Sequence, residues 1–250
     1  MDPISEIMTP QPLKVTAQTP IESCRSIMQL RKRRHLPVVD DTGKFIGLLT
    51  DHAVHLADDT TMAEDSVVPV PTAVESTPIP EALRRLDDTP MDALIVLDRQ
   101  QHPVGIVTEH DAVRVAPALL EGTVIEVRRS DRPLVTVDTS ETLRNAFYLL
   151  VENGIRHLPV LDGGAVRAVV SMRDLLRAGV THDRDGSIQQ LLMRDQPILS
   201  VTEGVRAVTA AAEMARAKVG CLLLTDPAGQ TVGIVTRSDV ISWVVATTQS

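Results

Sequence analysis

The chain has 250 residues, of which 43% are hydrophobic but only 2% aromatic, so it can bury one large or two ordinary cores of aliphatic side chains. Its net charge of -8 argues against general binding to a nucleic-acid backbone or an anionic membrane. The sequence has no apolar run of membrane-spanning length, no secretory signal pattern, and two widely separated cysteines, Cys24 and Cys221. Together these features predict a cytoplasmic protein with two free, buried thiols.

One short pattern recurs along the chain: a small residue, two aliphatic residues, a hydroxyl residue and, in three of four copies, an Asp three positions later. The hydroxyl residues of the four copies are Thr50, Thr108, Ser171 and Thr236. Their spacing of about 60 residues predicts four repeats of one unit. A proline precedes these hydroxyl residues by 38, 37, 38 and 39 positions, at Pro12, Pro71, Pro133 and Pro197. Such close agreement supports the repeat.

Within each copy, the same elements are predicted in the same order. The proline opens a short strand, placed at residues 133–136 in the third copy, and a helix with one apolar stripe follows. In the first copy, Thr19 is the predicted N-cap of this helix and Pro20 its first residue. Two strands then flank an Asp- and Gly-containing turn, as at residues 40–43. The second helices are predicted at residues 51–57, 110–116, 172–178 and 238–245.

Each unit is therefore β-α-β-β-α, and at roughly 55 residues it is too small to be comfortably stable alone. The units are expected to pair, the first with the second and the third with the fourth.

The junction between the last strand and the last helix permits two interpretations. A hydroxyl at the N-cap and an Asp at the third helical position can simply cap the helix. The same groups can bind a ribose phosphate, because a helix N-terminus attracts anions and an Asp one turn in can accept from a sugar diol. A single copy favours the cap, whereas copies at matching offsets make the junction a candidate nucleotide site.

These junctions, with Met8-Thr9-Pro10 and the two Arg-His-Leu-Pro-Val stretches that begin at Arg34 and Arg156, resemble the cystathionine β-synthase (CBS) domain family over nearly the whole chain. The resemblance implies an α+β fold of four CBS repeats, at residues 1–58, 64–118, 124–180 and 187–246. It also implies pairing into two pseudo-twofold Bateman modules, residues 1–118 and 119–250. This layout is similar to that of the γ subunit of AMP-activated protein kinase.

In this family the clefts between repeats commonly bind AMP, ADP, ATP, S-adenosylmethionine or related dinucleotides, and the resemblance assigns roles to matching residues. The ribose carboxylates match Asp111, Asp174 and Asp239. The hydroxyls on the phosphate side match Thr108, Ser171 and Thr236, with Thr50 as their counterpart in the first repeat. The basic residues that face phosphates match Arg34, His35, Arg156 and His157. The polar residues at the adenine end match Thr16, Thr136 and Ser200.

The repeats depart from this pattern at single positions. Ala53 stands where the first repeat should carry its ribose Asp, and Ala93 and Cys221 occupy the His position in the second and fourth repeats. Each module thus has one Arg-His pair, but only the second module has two Asp-bearing junctions. The second module is predicted to be the better ligand-binding half, with up to two sites.

The predicted function is regulatory: an adenosine-containing ligand bridges two repeats and shifts the population of two arrangements. The sequence contains no G-x-S-x-G, Walker or H-E-x-x-H motif, so an enzyme is not expected. His52 and His55 are interpreted as solvated helix residues rather than metal ligands. The alternative is a ligand-free structural or protein-interaction module in which the junctions only cap helices. A protein partner or a homodimer is compatible with either interpretation.

Overall fold

The computed structural model describes residues 2–89, 91–118, 120, 122–127, 133–180, 186–192 and 198–248. The chain divides into two compact units. The first unit comprises Met1–Leu119 together with Ile241–Ser250, and the second comprises Leu120–Val240. Within the described ranges, none of the helices combines the length and the apolar character needed to cross a membrane.

The elements follow the order expected for four repeats. The strands are β1 (Thr9–Pro10), β2 (Val15–Thr16), β3 (His35–Val39), β4 (Phe45–Thr50), β5 (Thr72–Val74), β6 (Ala93–Leu97), β7 (Pro103–Thr108), β8 (Val137–Asp138), β9 (His157–Asp162), β10 (Ala165–Ser171), β11 (Ser200–Thr202), β12 (Cys221–Thr225) and β13 (Thr231–Thr236). The helices are α1 (Ile21–Arg31), α2 (Asp51–Leu56), α3 (Ile79–Asp87), α4 (Glu109–Val115), α5 (Val124–Val127), α6 (Leu143–Glu152), α7 (Met172–Arg177), α8 (Gln189–Leu192), α9 (Ala207–Ala217) and α10 (Arg237–Thr247). Short 3-10 turns occupy Ile4–Glu6, Ala63–Ser66 and Ala116–Ala118.

Each repeat contains a small mixed sheet with the same topology. Its first strand is parallel to the second, which is antiparallel to the third. The register is also the same: the parallel partners are Val15 and Val38, Ala73 and Val96, Val137 and Val160, and Val201 and Leu224. The predicted α+β fold of β-α-β-β-α repeats is therefore confirmed.

The first helix of each repeat buries its apolar stripe on this sheet. In the first repeat, Ile21, Cys24 and Met28 of α1 are buried in one cluster with Leu36 and other strand residues. Their spacing of three and four residues places them on one face of the helix. The first helices of the other repeats, α3, α6 and α9, also bury apolar residues on one face, so each sheet has one face covered by helix from its own repeat.

The other face of the sheet joins the two repeats of the first unit. Leu48 of β4 lies in a buried cluster with Ala93, Ile95, Leu97 and Ile106 from β6 and β7. Phe45 packs against the same cluster. Burial of these aliphatic side chains stabilises the pair, as expected for units too small to fold alone.

In each repeat, the segment before the first strand of the sheet crosses to the paired repeat. We call these the crossed lead-in segments, residues 2–10, 61–68, 122–124 and 186–188. In the first unit, Ile4 N–H donates to Thr77 O at 2.7 Å, and β1 pairs with β7, so residues 2–10 pack on the second repeat. Conversely, Ile21 N–H donates to Thr61 O at 3.0 Å, and Ala63 N–H donates to the first repeat at 2.9 Å.

The second unit repeats this exchange. Val124 N–H donates to Val205 O in the fourth repeat at 2.7 Å, whereas Leu143 N–H in the third repeat donates to Gly186 O at 2.8 Å. In both units, therefore, each lead-in segment completes the neighbouring repeat rather than its own. This feature was not expected from the sequence.

Two local predictions are corrected by the structure. Pro20, not Thr19, is the N-cap of α1, with extended φ and ψ of -60° and 143°. The crossed lead-in segment accounts for this, because Ile21 N–H is bound by Thr61 O and needs no side-chain cap. In the third repeat the first strand is Val137–Asp138, after the predicted 133–136. Pro197, which opens the predicted first strand of the fourth repeat, lies outside the described residues.

Candidate ligand-binding site

In the second unit, both strand-to-helix junctions form a reciprocal cap. Ser171 Oγ donates to Asp174 Oδ2 at 2.6 Å, and the amide of Ser171 donates to the same oxygen at 2.9 Å. Thr236 Oγ1 and its amide donate to Asp239 Oδ2 at 2.6 and 2.7 Å. The amides of both Asp residues donate back to the hydroxyls at 3.3 Å. Because these caps use only Oδ2, their geometry leaves Oδ1 available as a further acceptor.

In the first unit, the two junctions differ. Thr108 Oγ1 and its amide donate to Asp111 Oδ2 at 2.9 and 3.0 Å, and the buried Asp111 has its Oδ1 3.7 Å from Arg114 Nη1. In the first repeat, Thr50 Oγ1 only accepts from the amide of Ala53, at 3.1 Å. The first repeat therefore presents no carboxylate at the position where the other three repeats carry their Asp.

Each helix start is also tied to the residue that precedes the second strand of its own repeat. The first amide of the helix donates to the carbonyl of that residue at 2.8, 3.1, 3.1 and 3.2 Å in the four repeats. The pairs are Asp51 with Arg34, Glu109 with Asp92, Met172 with Arg156, and Arg237 with Gly220. The four preceding residues thus occupy equivalent positions beside the junctions, and they differ in charge.

In the first unit, the Arg-His pair of the first repeat meets an acid of the second. His35 Nε2 lies 2.7 Å from Asp92 Oδ1, and since an ionised carboxylate only accepts, the imidazole N–H donates. Arg34 Nη1 lies 3.6 Å from Asp92 Oδ2. The side chains of His35 and Asp92 are 7% and 18% exposed. Asp92 was missed by sequence reasoning, although its position matches Arg34 in the repeat.

In the second unit, the Arg-His pair of the third repeat meets the helix start of the fourth. Arg156 Nη2 donates to Ser238 Oγ at 3.0 Å, one residue before Asp239. The His157 imidazole packs on Gly220: a Cβ placed on that glycine would overlap Nε2 and lie 2.7 Å from Cε1. The structure thus brings the predicted basic residues Arg156 and His157 to the predicted junction of the partner repeat.

The three residues predicted at the adenine end do not occupy equivalent positions. Thr16 lies opposite Val39 in β2, and Ser200 opposite Leu223 in β11. Ser200 is therefore two residues out of step with Thr16, whereas Thr136, just before β8, matches Ser200, since each directly precedes one of the equivalent residues Val137 and Val201. Their contact with an adenine ring stays a prediction.

Cys221 occupies the His position of the fourth repeat as a partly buried free thiol, and Cys24 is a buried free thiol in α1. Burial raises the pKa of Cys221 to about 12, against the opposing effect of the Arg237 charge. The thiol is therefore neutral at physiological pH. Among the described residues, no group of three or more His, Cys, Asp and Glu side chains could hold a metal ion. His55 Nδ1 lies 2.6 Å from Asp51 O within α2.

A family model of the CBS domain matches residues 4–58, 63–118, 124–181 and 188–246. An uncharacterised 17.7 kDa protein of Acidianus ambivalens is 36% identical over 102 residues, 40% of this chain and 61% of that protein. Protein MJ1404 of Methanocaldococcus jannaschii is 26% identical over 166 residues, 58% of this chain and 39% of that protein. The chain thus spans less than two thirds of the length of either relative.

The fold is also similar to the crystal structure of protein MJ1225 from Methanocaldococcus jannaschii. The TM-score is 0.82 at 18% identity, over 96% of this chain and 99% of that chain. MJ1225 has been proposed to be an archaeal homologue of the γ subunit of AMP-activated protein kinase. At this identity the likeness bears on fold alone. Since the four family matches cover nearly the whole chain and coincide with its four β-α-β-β-α repeats, the protein belongs to the CBS domain family.

Proposed function

We propose that the chain is a cytoplasmic, non-catalytic regulatory protein that binds adenosine-containing ligands between paired CBS repeats. The observation that carries the proposal is the meeting of Arg156, from the third repeat, with the α10 start that bears Thr236 and Asp239 in the fourth. AMP, ADP, ATP, S-adenosylmethionine and adenine dinucleotides share the adenosine group that this arrangement would recognise.

The chemistry of the junction supports this ligand class. Asp239 can accept from a ribose diol through Oδ1, because its cap uses Oδ2. Arg156 supplies a permanent positive charge at the start of an 11-residue helix, where backbone dipoles also favour an anion. A phosphate and a ribose held at one helix start are the combination that distinguishes a nucleotide from other anions. Asp174 and Ser171 offer a second, similar junction in the same unit.

Ligand binding would act on regulation through the pairing of repeats. A molecule that touches groups from two repeats has a higher affinity for the arrangement that brings them together, so it shifts the population toward that arrangement. The same logic makes the effect reciprocal: a protein partner or a second copy that prefers one arrangement changes the affinity for ligand by the same factor.

A second candidate function is a ligand-free interaction module, and one observation favours it. The hydroxyls of Ser171 and Thr236 already donate to their own Asp, so the caps are complete without ligand. In this case the aspartates contribute only to helix stability, by about 0.5–2 kcal/mol each.

A thermal-shift panel separates the two functions. We expect AMP, ATP, NAD or S-adenosylmethionine, at about 100 times its Kd, to stabilise the chain by about 2.7 kcal/mol. For a chain of this size that corresponds to a rise in Tm of roughly 5–10 °C. Asp174→Ala and Asp239→Ala should reduce this ligand-induced rise, beyond any change in the ligand-free Tm.

Glu126→Ala is the matched control. Glu126 caps α5 in the same way, accepting from the amide and hydroxyl of Thr123 at 2.6 and 2.8 Å, but it lies at no strand-to-helix junction. It should lower the ligand-free Tm and leave the ligand-induced rise unchanged. No rise with any of the four compounds, or an equal loss in all three variants, would favour the interaction module.

A further inference from the structure

One position in each unit, directly before a second strand, differs in charge between the two units and so would affect an anionic ligand differently. Asp92 in the first unit and Gly220 in the second both precede the second strand of their repeat, and both carbonyls accept the first amide of the following helix. We propose that Asp92 is an internal counter-ion that excludes phosphate groups from the Arg34–His35 pair. The first unit then accepts adenosine-type ligands that bear no phosphate at this pair. The proposal rests on the proposed function and specifies the ligand class of one unit.

The contacts of Asp92 place its carboxylate where a phosphate would have to bind. Oδ1 accepts from His35 Nε2 at 2.7 Å, and Oδ2 is paired with Arg34 Nη1 at 3.6 Å. The two oxygens thus engage both members of the pair at once. The Asp92 carbonyl also accepts from Glu109 N–H at 3.1 Å, so its backbone is tied to the start of α4 while its carboxylate reaches the Arg34–His35 pair of the first repeat.

A phosphate cannot join this cluster at low cost. With Asp92 in place it would bring a second negative charge within a few ångströms of a carboxylate that is only 18% exposed, where screening by water is weak. Displacing Asp92 instead would strand a partly buried carboxylate without its hydrogen bond from His35. A ligand group without charge, or with positive charge, meets neither penalty.

The second unit lacks this device for a steric reason. Any Cβ at position 220 would overlap the imidazole of His157, so a carboxylate cannot be carried there unless that ring moves. Position 220 therefore contributes no negative charge, and Arg156 reaches the helix start of the partner repeat at Ser238. The one-residue difference between Asp92 and Gly220 thus predicts that phosphate-bearing ligands prefer the second unit.

The test removes the counter-ion while the second unit is disabled. In the full-length Asp174→Ala/Asp239→Ala chain, Asp92→Asn keeps the shape and the acceptor for His35 but removes the charge. Calorimetric titration with AMP should show about tenfold or greater gain in affinity over the parent chain, because a like-charge contact costs at least 1.4 kcal/mol. Titration with adenosine, which differs from AMP only by the phosphate, should change by less than about twofold.

Two further variants serve as a substitute and as a control for Asp92→Asn. Asp92→Gly copies the residue at position 220 and should give the same gain in AMP affinity. It replaces the asparagine variant if that variant folds poorly. Asp41→Asn removes the same charge from an exposed residue in the turn after β3, at the far end of the strand from His35, and should leave AMP affinity unchanged.

Inorganic tripolyphosphate separates failure of this proposal from failure of the proposed function. Equal AMP affinity in the parent and both Asp92 variants would overturn the counter-ion and leave adenosine binding standing. If neither AMP nor adenosine binds any of these variants, the first unit takes no adenosine-type ligand, the thermal-shift panel on the unsubstituted chain decides the proposed function, and tripolyphosphate decides whether Asp92 excludes phosphate. Binding about tenfold tighter to Asp92→Asn than to the parent then supports the counter-ion, and equal binding overturns it.

Discussion

In both repeats of the first unit, the residue three positions before the junction hydroxyl is a glycine, and close packing explains why. A Cβ on Gly105 would overlap Met8 Sδ, and a Cβ on Gly47 would lie 2.6 Å from Val67 Cβ. Both neighbours belong to crossed lead-in segments that lie over the last strand of the other repeat. Glycine is needed here for close approach of a second chain segment, not for an unusual backbone angle.

Gly47→Ala is therefore expected to destabilise the chain by about 1–3 kcal/mol, the usual cost of overpacking. The clash is with the Cβ of Val67, close to its backbone, so rotation of that stiff side chain cannot relieve it. Gly105→Ala should cost less, because the flexible Met8 side chain can move. Urea denaturation measures both changes.

Gly204→Ala is the control for this pair. Its added Cβ would meet nothing within 4 Å, so a neutral or slightly stabilising effect of up to about 1 kcal/mol is expected. A Gly47→Ala chain as stable as wild type would show that the lead-in segment does not press on β4.

At the scale of elements, α2 is the one of the four second helices whose cap lacks the returning carboxylate. Thr50 accepts from the Ala53 amide, but no carboxylate returns the bond to the amide of Thr50, as Asp111 does for Thr108. Ala53→Asp should complete this cap and raise the free energy of unfolding by about 0.5–1 kcal/mol. Urea denaturation at neutral pH provides the measurement.

The same substitution at the other end of α2 tests whether position or charge is responsible. Ala57 is the C-cap of the helix, and Ala57→Asp places the negative charge beside unsatisfied carbonyl groups. We expect destabilisation there. Equal effects of Ala53→Asp and Ala57→Asp would contradict capping as the cause.

Whether the sequence could predict the start of a helix depended on how close in sequence the contacts that fix that start are. The second helices begin within one residue of their predicted starts, because in three of the four a hydroxyl and an Asp three residues apart form the cap by themselves, and in α2 the hydroxyl of Thr50 caps alone. The N-cap of α1 was misplaced because its first amide is bound by Thr61, which lies 40 residues away. The turns and the junction caps could thus be predicted from the sequence, but partners supplied from elsewhere in the chain could not.

The candidate site follows the same rule. The Asp-bearing junctions and the Arg-His pairs were found from their residue types and spacing. Asp92 was not, since its significance comes from His35 and Arg34 in another repeat. Comparing the residue before each second strand, rather than the His position itself, would have exposed the contrast between Asp92 and Gly220. That comparison needs the repeat register, which the parallel pairing of the strands supplies.

At the scale of the whole molecule, crossed lead-in segments make a pair of repeats depend on each other. Such segments cover the outer edges of β7 and β4. Strand β1 pairs with β7, and Leu48 of β4 exchanges two backbone hydrogen bonds with Val68 at 2.9 and 3.1 Å. An uncovered strand edge leaves donors and acceptors unpaired and invites association. Neither repeat of the first unit can therefore complete its sheet without chain from beyond its own elements.

This arrangement predicts that a change in a crossed lead-in segment loosens the other repeat of the pair, not the repeat that the segment belongs to. Deleting residues 2–10 should accelerate amide hydrogen exchange in β7 of the second repeat rather than in β4 of the first repeat, because β1 is lost from the β7 edge. Val68→Pro should do the reverse. It removes the N–H that donates to Leu48 O, so exchange should rise in β4 although residue 68 belongs to the second repeat, just before β5. The residue before it, Val67, already has the extended φ and ψ of -69° and 146° that a following proline requires. Exchange measured by mass spectrometry on peptides covering 45–50 and 103–108 provides both readouts in one experiment. If each change instead loosened the repeat nearest to it in sequence, the crossing would not contribute to the stability of the pair.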